Sequence, residues 1–268
     1  MSASIPDRTF VEQVLLEQGI EDVAVFCFAQ LGSTNHWLRK QITSGSAQHD
    51  QQTSLCVTDW QQAGIGRRGK SWQTLPGNIT FSIYRASMRE PQELMGLSLA
   101  SGIAIAQVMR REYALDICLK WPNDLIFGGA KIGGLLTEIV GPSGSGVITG
   151  IGVNVVHDPQ IATLSIGTTS LEAAGVKLAG MGRDGLIGKI AAEVLLLHEQ
   201  FDEQGWAPFM DQWNALDWLA GKNVLVHGNT VTEHAVARGV DHEGALLIEQ
   251  GGEVKPIYGG NVSIRPAP

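Results

Sequence analysis

The glycine-rich loop at residues 58–72, TDWQQAGIGRRGKSW, constrains the fold of this chain more than any other segment. Its glycines, Gly64, Gly66 and Gly69, have the G-x-G-x-x-G spacing of dinucleotide-binding turns. In such turns a helix begins at the third glycine, and the N-terminus of that helix faces the pyrophosphate. Here the turn signal Pro76–Gly77 and an alternating strand pattern at 78–85 follow instead. The loop therefore argues against a Rossmann fold and favours an α+β sheet.

The overall charge of the chain restricts what it binds. With a formal net charge of −8 over 268 residues, no general affinity for DNA or RNA is expected. Any binding of phosphate must therefore depend on a local basic patch. The hydrophobic content of 44% is typical of a folded protein with a sizeable core.

The cysteines, the histidines and the N-terminus exclude several classes of protein. Cys27, Cys56 and Cys118 lack paired spacing, which predicts free thiols in a reducing cytoplasm. The seven histidines are dispersed, so no zinc site is expected. Residues 1–19 carry acidic side chains where a signal peptide has an apolar core. No apolar run reaches the roughly 20 residues of a membrane helix, so no membrane partner is expected.

Hydrophobic periodicity predicts one large and one small domain. Apolar residues at helical spacing predict helices at 7–18, 35–42, 91–111, 183–204 and 206–219. Apolar runs predict strands at 22–31, 54–60, 78–85, 116–121, 132–140 and 146–155. After Gly221 the pattern changes to short strands separated by turn residues. We therefore expect an α+β domain with a mixed sheet at 1–220 and a small all-β barrel at 221–268.

Three stretches rich in lysine and arginine point to an anion site. Arg67, Arg68 and Lys70 fall within four residues of the glycine loop, which is either a solvated hairpin or a loop that closes over a phosphate. Lys120 ends an apolar strand, and Lys131 begins another after the turn Gly128–Gly129. If these two strands form a hairpin, both lysines lie at the same end of the sheet.

A turn between the two lysines carries Asn123 and Asp124. Asp124 is a candidate ligand for Mg²⁺ through water, because magnesium prefers a few carboxylates together with phosphate oxygens. The same carboxylate is also a candidate for orienting an attacking amine. The sequence does not separate these two roles.

Several motifs resemble, in order and spacing, those of biotin protein ligases. They are GSTN (32–35), QQAGIGRRGKSW (61–72), KWPNDL (120–125), KIGGLLTE (131–138), GIGVNV (150–155), TSLEAAG (169–175) and GGNVSIR (259–265). The resemblance implies a catalytic domain of the biotin/lipoate ligase type followed by an SH3-like barrel. It also implies activation of biotin by ATP and Mg²⁺ to biotinyl-5′-adenylate. The biotinyl group is then transferred to a lysine of a biotin carboxyl carrier protein.

The resemblance also implies roles for individual residues. Those for biotin are Ser33, Thr34, Asn35, Gln61, Gly64, Ile65, Gly66, Arg67, Lys131, Gly134, Leu136 and Gly150. Those for ATP and the adenylate are Lys70, Trp72, Asn123 and Asn154. Lys131, Arg67, Lys120 and Asp124 are the expected catalytic residues, with Asp124 as the possible metal ligand. Ile65 departs from the family pattern, which usually has an arginine there, so the loop lacks one expected cation.

Other interpretations compete with these roles. Ser33 and Thr34 are also suited to capping a helix near Asn35, and Trp72, Trp121 and Phe127 are equally compatible with plain core packing. Lys222 and Arg265 are candidates for contact with nucleotide or carrier.

Alternatives for the whole protein are a lipoate–protein ligase and a non-catalytic regulator that binds biotin or its adenylate. The loop GRRGKSW and the stretch KWPND favour the biotin branch. About 20 residues precede the motifs, so no DNA-binding domain is expected, while exposed sheet edges make a homodimer plausible.

Overall fold

The computed structural model describes residues 3–43, 53–87, 89–141, 146–156, 167–178, 180, 182–228, 232–259 and 262–267. Residues 260 and 261 of the GGNVSIR motif, and residues 230 and 231 of a predicted strand, lie outside these ranges. The helices are α1 (Arg8–Glu17), α2 (Thr34–Thr43), α3 (Leu97–Tyr113), α4 (Gly182–Gln204) and α5 (Met210–Leu216).

A mixed seven-stranded sheet forms the larger part of the molecule. Its strands are β1 (Ala24–Leu31), β2 (Ser54–Gln61), β3 (Ile79–Ala86), β4 (Cys118–Lys120), β5 (Asp124–Phe127), β6 (Ala130–Val140) and β7 (Gly146–Val153). Their order in the sheet is β1-β2-β3-β7-β6-β5-β4. β1 and β2 are parallel, and the remaining pairs are antiparallel. The predicted mixed α+β sheet is confirmed.

The two faces of this sheet are covered unequally. One face packs against α1, α3 and α4, and α3 is buried nearly all round because α4 covers its outer side. Among the described helices, α2 alone lies on the other face, and its Leu38 and Ile42 pack with Cys56, Tyr84 and Ile148. Because side chains of a strand alternate between the two faces, every second residue points to the face on which α2 lies. In the part of the sheet that α2 does not cover, no described helix packs over these residues.

The glycine loop opens no helix, as the sequence predicts. A single 3₁₀ turn, Arg67–Gly69, is followed by non-helical chain with a turn at Pro76–Gly77, as predicted, until β3 begins at Ile79. β2 and β3 are antiparallel. A dinucleotide-binding βαβ unit is therefore excluded at this loop.

Two helix boundaries and one strand differ from the predictions. The helix expected from 91 begins at Leu97, because the chain first makes a 3₁₀ turn at Glu93–Gly96. The helix expected at 206–219 is a 3₁₀ turn followed by the short α5. Asp124 was expected in a turn but begins β5. Lys120 and Lys131 therefore lie on the first and the third of three strands, not on the two strands of one hairpin.

A second sheet contains the C-terminal strands. They are β8 (Asn223–His227), β9 (Thr232–Val240), β10 (Leu246–Gln250), β11 (Glu253–Ile257) and β12 (Ser263–Pro266). All pairs are antiparallel, in the order β11-β10-β9-β8-β12. The expected closure into an SH3-like barrel, and the domain boundary at 221, stay predictions.

Two buried tryptophans join the two sheets. Trp121 Nε1 donates to the carbonyl oxygen of Gly244 at 3.1 Å, and Trp206 Nε1 donates to that of Asp241 at 2.9 Å. Burial of a tryptophan requires such a partner for its N–H group. Trp121 is 2% exposed, so the core-packing interpretation of this residue is correct.

No helix among the described residues is long and apolar enough to cross a membrane. The three cysteines are free thiols, as predicted.

His198 of α4 is the histidine with the strongest electrostatic constraint. Its Nε2 atom lies 2.8 Å from Ser101 Oγ, whose own hydrogen goes to the Leu97 carbonyl oxygen. Nε2 must therefore carry the imidazole hydrogen, and the buried Nδ1 has no hydrogen-bond partner among the described residues. Burial, reinforced by the charge of Arg85, lowers the pKa of His198 to about 3. The side chain is neutral in the fold.

We expect this burial to weaken the protein in acid. In the unfolded chain, His198 gains a proton below its ordinary pKa, whereas in the folded protein it stays neutral. The free energy of unfolding therefore falls as the pH falls. Between about pH 7 and about pH 4.5 the histidine should cost roughly 2 to 3 kcal/mol of unfolding free energy. His198→Gln retains a donor for Ser101 and should show a pH dependence smaller by that amount in urea unfolding. Equal losses in the two proteins would contradict this assignment.

Candidate active site

The floor of the site consists of two rows of residues, with glycines at their centre, on the α2 face of the large sheet. In the first row, strand register places Thr80, Gly152, Gly134, Asp124 and Lys120 side by side across β3, β7, β6, β5 and β4. In the second row lie Ser82, Gly150 and Leu136. Residues opposite one another in a ladder share a face. The glycines therefore leave a hollow where other sheets have side chains.

Helix α2 closes one end of this hollow. Asn35 occupies the space above Gly150, where a Cβ atom would overlap the Asn35 side chain. Ser33 caps the helix by accepting the His36 N–H at 3.4 Å. Thr34 donates its backbone N–H to Gln61 Oε1 at 2.8 Å. Ser33 and Thr34 also line the cavity, so capping and exposure to the cavity coexist.

The glycine loop folds over the same hollow as a small hairpin. Trp72 N–H donates to the Gly64 carbonyl oxygen at 2.8 Å, and Gly66 N–H donates to that of Lys70 at 2.7 Å. Ile65 pairs with Ser71 between them. The indole of Trp72 lies against Gly152, where a Cβ atom would come within 2.5–2.7 Å of three ring atoms. Trp72 is therefore a wall of the cavity, not a core residue.

Lys120 and Lys131 converge on one carboxylate. Asp124 Oδ2 accepts from Lys120 Nζ at 3.1 Å, and Oδ1 accepts from Lys131 Nζ at 2.5 Å. A β-bulge at Ile132 turns Lys131 onto the face of Gly134, since β5 pairs Leu125 with Gly133 but Ile126 with Lys131. The sequence predicted that the two lysines converge. It did not predict the bulge or the strand that lies between them.

The charges in this cluster balance one another. Burial alone would raise the pKa of Asp124, but the ammonium groups of Lys131 and Lys120 outweigh it and hold that pKa below its ordinary value. The ammonium of Lys131 also lies 5.3 Å from the centre of the Trp72 ring, within the range of a cation–π contact. Asp124 and the Trp72 ring thus hold Lys131 in place, and the missing side chain at Gly134 leaves room for it.

A cavity of about 410 Å³ opens over the two rows. Seventeen of the eighteen predicted residues line it: Ser33, Thr34, Asn35, Gln61, Ile65, Gly66, Arg67, Lys70, Trp72, Lys120, Asn123, Asp124, Lys131, Gly134, Leu136, Gly150 and Asn154. Gly64 does not. A Cβ atom there would overlap the Trp72 carbonyl oxygen and the Gln61 amide, so Gly64 lets the two ends of the loop meet.

Several cavity residues were missed by sequence reasoning. Thr80, Ile151 and Gly152 line it because of the register of β3 with β7, and Gly152 belongs to the quoted motif GIGVNV. The C-terminal sheet contributes Val262, Ser263, Ile264 and Arg265. Lys222, by contrast, lies 4.1 Å above the ring of Trp218 and is not among the cavity residues.

Four cations of the cavity form no ion pair with a carboxylate of the described residues. Within the described part of the chain, Arg67, Arg68, Lys70 and Arg265 make no side-chain hydrogen bond or ion pair, yet each lines the cavity. Burial lowers the pKa of Arg67, and the carboxylate of Asp124 partly restores it. Unpaired guanidinium groups at a cavity are suited to an anionic ligand.

Comparison with known proteins identifies the family. The model of the biotin/lipoate A/B protein ligase family matches residues 27–155, and that of the biotin protein ligase C-terminal domain matches residues 221–265. The bifunctional ligase/repressor BirA of Escherichia coli is 33% identical over 88% of this chain and 73% of its own length. The chain belongs to the biotin protein ligase family. A second member, the biotin–[acetyl-CoA-carboxylase] ligase of Mycobacterium tuberculosis, is 30% identical over 87% of this chain and 86% of its own.

The fold agrees with this membership. A solved structure of the biotin protein ligase from Aquifex aeolicus, in complex with biotin and ATP, superposes with a TM-score of 0.75. The match covers 92% of this chain and 100% of that one at 23% sequence identity.

We expect Gly152→Ala to dislodge the loop, because its Cβ atom would enter the space of the Trp72 indole. Amide hydrogen exchange of a peptide spanning residues 64–72 should become faster as the Trp72 and Gly66 N–H groups lose protection. Gly32→Ala is the matched control, since nothing lies within 4 Å of its added Cβ atom. Equal exchange in both variants would show that Gly152 does not hold the loop.

Proposed function

We propose that this protein joins biotin to ATP, forming biotinyl-5′-adenylate, and transfers the biotinyl group to a lysine of a biotin carboxyl carrier protein. The observation that carries the proposal is the arrangement of one cavity. A polar wall at α2 and a lysine cluster at β5 lie about two strand spacings apart, roughly 10 Å. Between them the floor is glycine. This spacing suits a ligand with a polar ring at one end and a carboxylate at the other.

The α2 end suits the ureido ring of biotin. Gln61 Oε1 accepts from the Thr34 backbone, which leaves the Gln61 amide hydrogens for a ligand carbonyl. Thr34 and Asn35 provide oxygens that can accept the ring N–H groups. Gly150 and Gly152 let Asn35 and Trp72 lie close to the sheet, so that an apolar bicycle can lie between these two side chains.

The lysine cluster suits activation of the carboxylate. A carboxylate oxygen of biotin attacks the α-phosphorus of ATP, and pyrophosphate leaves with the electron pair of the broken P–O bond. Lys131 can offer its ammonium to both anions, because Asp124 and Trp72 already fix its position. The gain comes from fixed charge and from positioning, so no covalent group of the protein is required.

The unpaired cations suit the nucleotide. Arg67, Arg68 and Lys70 on the loop and Arg265 on β12 surround the cavity with positive charge that no carboxylate of the described residues balances. Arg67 also lies beside the C-terminal sheet, with its Nη2 atom 3.8 Å from the Cβ position of Gly259. A loop that closes between the two sheets would exclude water from the labile acyl-adenylate.

Asp124 does not fit as a ligand of Mg²⁺. Both of its oxygens accept from lysines, and no group of three metal-binding side chains occurs among the described residues. We therefore treat Mg²⁺ as part of the ATP substrate, held by phosphate oxygens.

In the second step the acceptor amine attacks the acyl carbon and AMP leaves. Asp124 is placed to orient that amine once Lys131 has turned to the adenylate.

A lipoate–protein ligase is the alternative that the family model leaves open, and a non-catalytic regulator is the other. The test is incubation of the purified protein with ATP, Mg²⁺, a carrier domain, and either biotin or lipoate. A mass increase of the carrier with biotin alone supports the proposal. Modification by lipoate supports the first alternative, and binding of biotin without modification supports the second.

Compartment, oligomeric state and DNA binding remain predictions. A reducing cytoplasm agrees with the three free thiols. The absence of operator binding rests on the net charge of −8.

Lys131→Ala should lose adenylate formation on the order of 10²-fold or more, the scale for removing a preorganised charge. Adenylate formed in single turnovers, measured by mass spectrometry, gives the effect. Lys189→Ala is the matched control, since Lys189 forms an ion pair with Glu112 on the outer helices. Adenylate formed by Lys131→Ala at the rate of that control would remove Lys131 from the activation step.

Arg67→Gly should still form the adenylate but release it faster, because the loop loses the guanidinium group that contacts the adenylate. Ile65→Arg should slow release, since Ile65 lines the cavity and carries no charge. Labelling of lysines on a bystander protein reports the released adenylate. Arg238→Ala, on the C-terminal sheet, is the control. If the arginine-to-glycine variant labels the bystander no more than this control, the loop is not a gate.

A further inference from the structure

A buried chain of hydrogen bonds connects the cavity to a surface carboxylate. Thr34 Oγ1 lies 2.6 Å from Ser82 Oγ, which donates to Asn35 Oδ1 at 2.5 Å. Asn35 Nδ2 donates to Glu138 Oε2 at 2.8 Å and to the Leu136 carbonyl oxygen at 3.3 Å. Arg39 holds the other oxygen of Glu138 at 2.5 Å.

The carboxylate, supported by the longer bond to the Leu136 carbonyl oxygen, sets the direction of the hydrogens in this chain. An ionised carboxylate only accepts, so Asn35 must turn its NH₂ group to Glu138 and its oxygen to Ser82. Ser82 must then give its single hydrogen to Asn35. With that hydrogen spent, Ser82 can only accept from Thr34. The single hydrogen of the Thr34 hydroxyl therefore goes either to Ser82 Oγ at 2.6 Å or to Gln61 Oε1 at 3.1 Å, and in both cases it points away from the cavity.

A count of the donor hydrogens shows which hydrogen-bonding groups this side of the cavity can present to a ligand. Both hydrogens of the Asn35 amide are used by Glu138 and Leu136. The Ser82 hydroxyl hydrogen is used by Asn35, and that of Thr34 by Ser82 or Gln61. The Thr34 backbone N–H is used by Gln61. The side chains of Thr34 and Asn35, which line the cavity, therefore present only lone pairs.

We propose that Glu138 is a positioning residue that sets the hydrogen-bond polarity of the cavity wall, so that the wall accepts N–H donors and rejects acceptors at the same place. The inference rests on the proposed function, in which these donors are the ureido N–H groups of biotin. Glu138 touches no ligand itself. It acts through Asn35, Ser82 and Thr34, and it discriminates an N–H group from a ring oxygen of nearly the same size.

Arg39 makes the carboxylate difficult to replace by an amide. In Glu138→Gln the guanidinium would attract the amide oxygen, which turns the new NH₂ group towards Asn35. Asn35 would then present its oxygen to residue 138 and its NH₂ group to Ser82, giving up its 3.3 Å bond to the Leu136 carbonyl oxygen, and the direction of the chain would reverse. A reversed chain offers hydrogens to the cavity.

The test compares biotin with two carbamate analogues, in which a ring oxygen replaces one or the other ureido N–H group. Dissociation constants are measured by calorimetry without ATP. Wild-type protein should bind at least one analogue on the order of 10²-fold more weakly than biotin, because two acceptors then face each other. In Glu138→Gln that ratio should shrink by about tenfold or more, while the KM for ATP stays unchanged.

Further variants separate polarity from packing. Glu138→Asp retains the charge and should retain the wild-type preference. Ser82→Ala breaks the chain at another point and should also narrow the ratio, which keeps the proposal testable if Glu138→Gln does not fold. Glu112→Gln is the matched control, because that carboxylate pairs with Arg111 and Lys189 away from the cavity and should leave the ratio unchanged.

The outcomes for the two proposals are distinct. Wild-type protein that does not bind biotin contradicts the proposed function. Wild-type protein that binds biotin, with folded Glu138→Gln and Ser82→Ala variants that weaken biotin and the analogues by the same factor, contradicts the polarity role alone.

Discussion

The site depends on the alternation of side chains across one sheet. Helices cover one face of the seven strands, and of the helices that the structure describes only α2 lies on the other. Where α2 ends, the residues on that face are small, with Gly134, Gly150 and Gly152 at the centre. The same glycines leave space for Asn35, Trp72 and Lys131, which enclose the cavity. A hollow of this shape therefore follows from strand register and from missing side chains, not from a special loop.

The electrostatics follow from this geometry. The two lysines of the floor are neutralised in part by Asp124, which allows them to be buried next to each other. The loop and β12 add cations that form no ion pair among the described residues, so the cavity carries positive charge in a chain whose net charge is −8. This charge lies where the proposed anionic substrates would bind.

Local features of the site were predictable from the sequence, and long-range ones were not. Lys120, Lys131 and the arginines of the loop are recognisable because they interrupt apolar or glycine-rich segments. Gly152 and Ser82 were missed because their role depends on the pairing of β3 with β7, which are far apart in the chain. The approach of Arg265 to the cavity depends on how the two sheets pack, and no local pattern encodes that. The bulge at Ile132 is equally invisible, since it shifts the register by one residue within an ordinary apolar run.

The central claim is that this cavity activates biotin with ATP before any carrier binds. The most direct measurement is exchange of labelled pyrophosphate into ATP by the purified protein, with and without biotin and in the absence of carrier. The account predicts exchange that requires biotin, because only the carboxylate of biotin can form and reverse the adenylate. Exchange that is equal without biotin, or no exchange with it by a protein that binds both ligands, would contradict it.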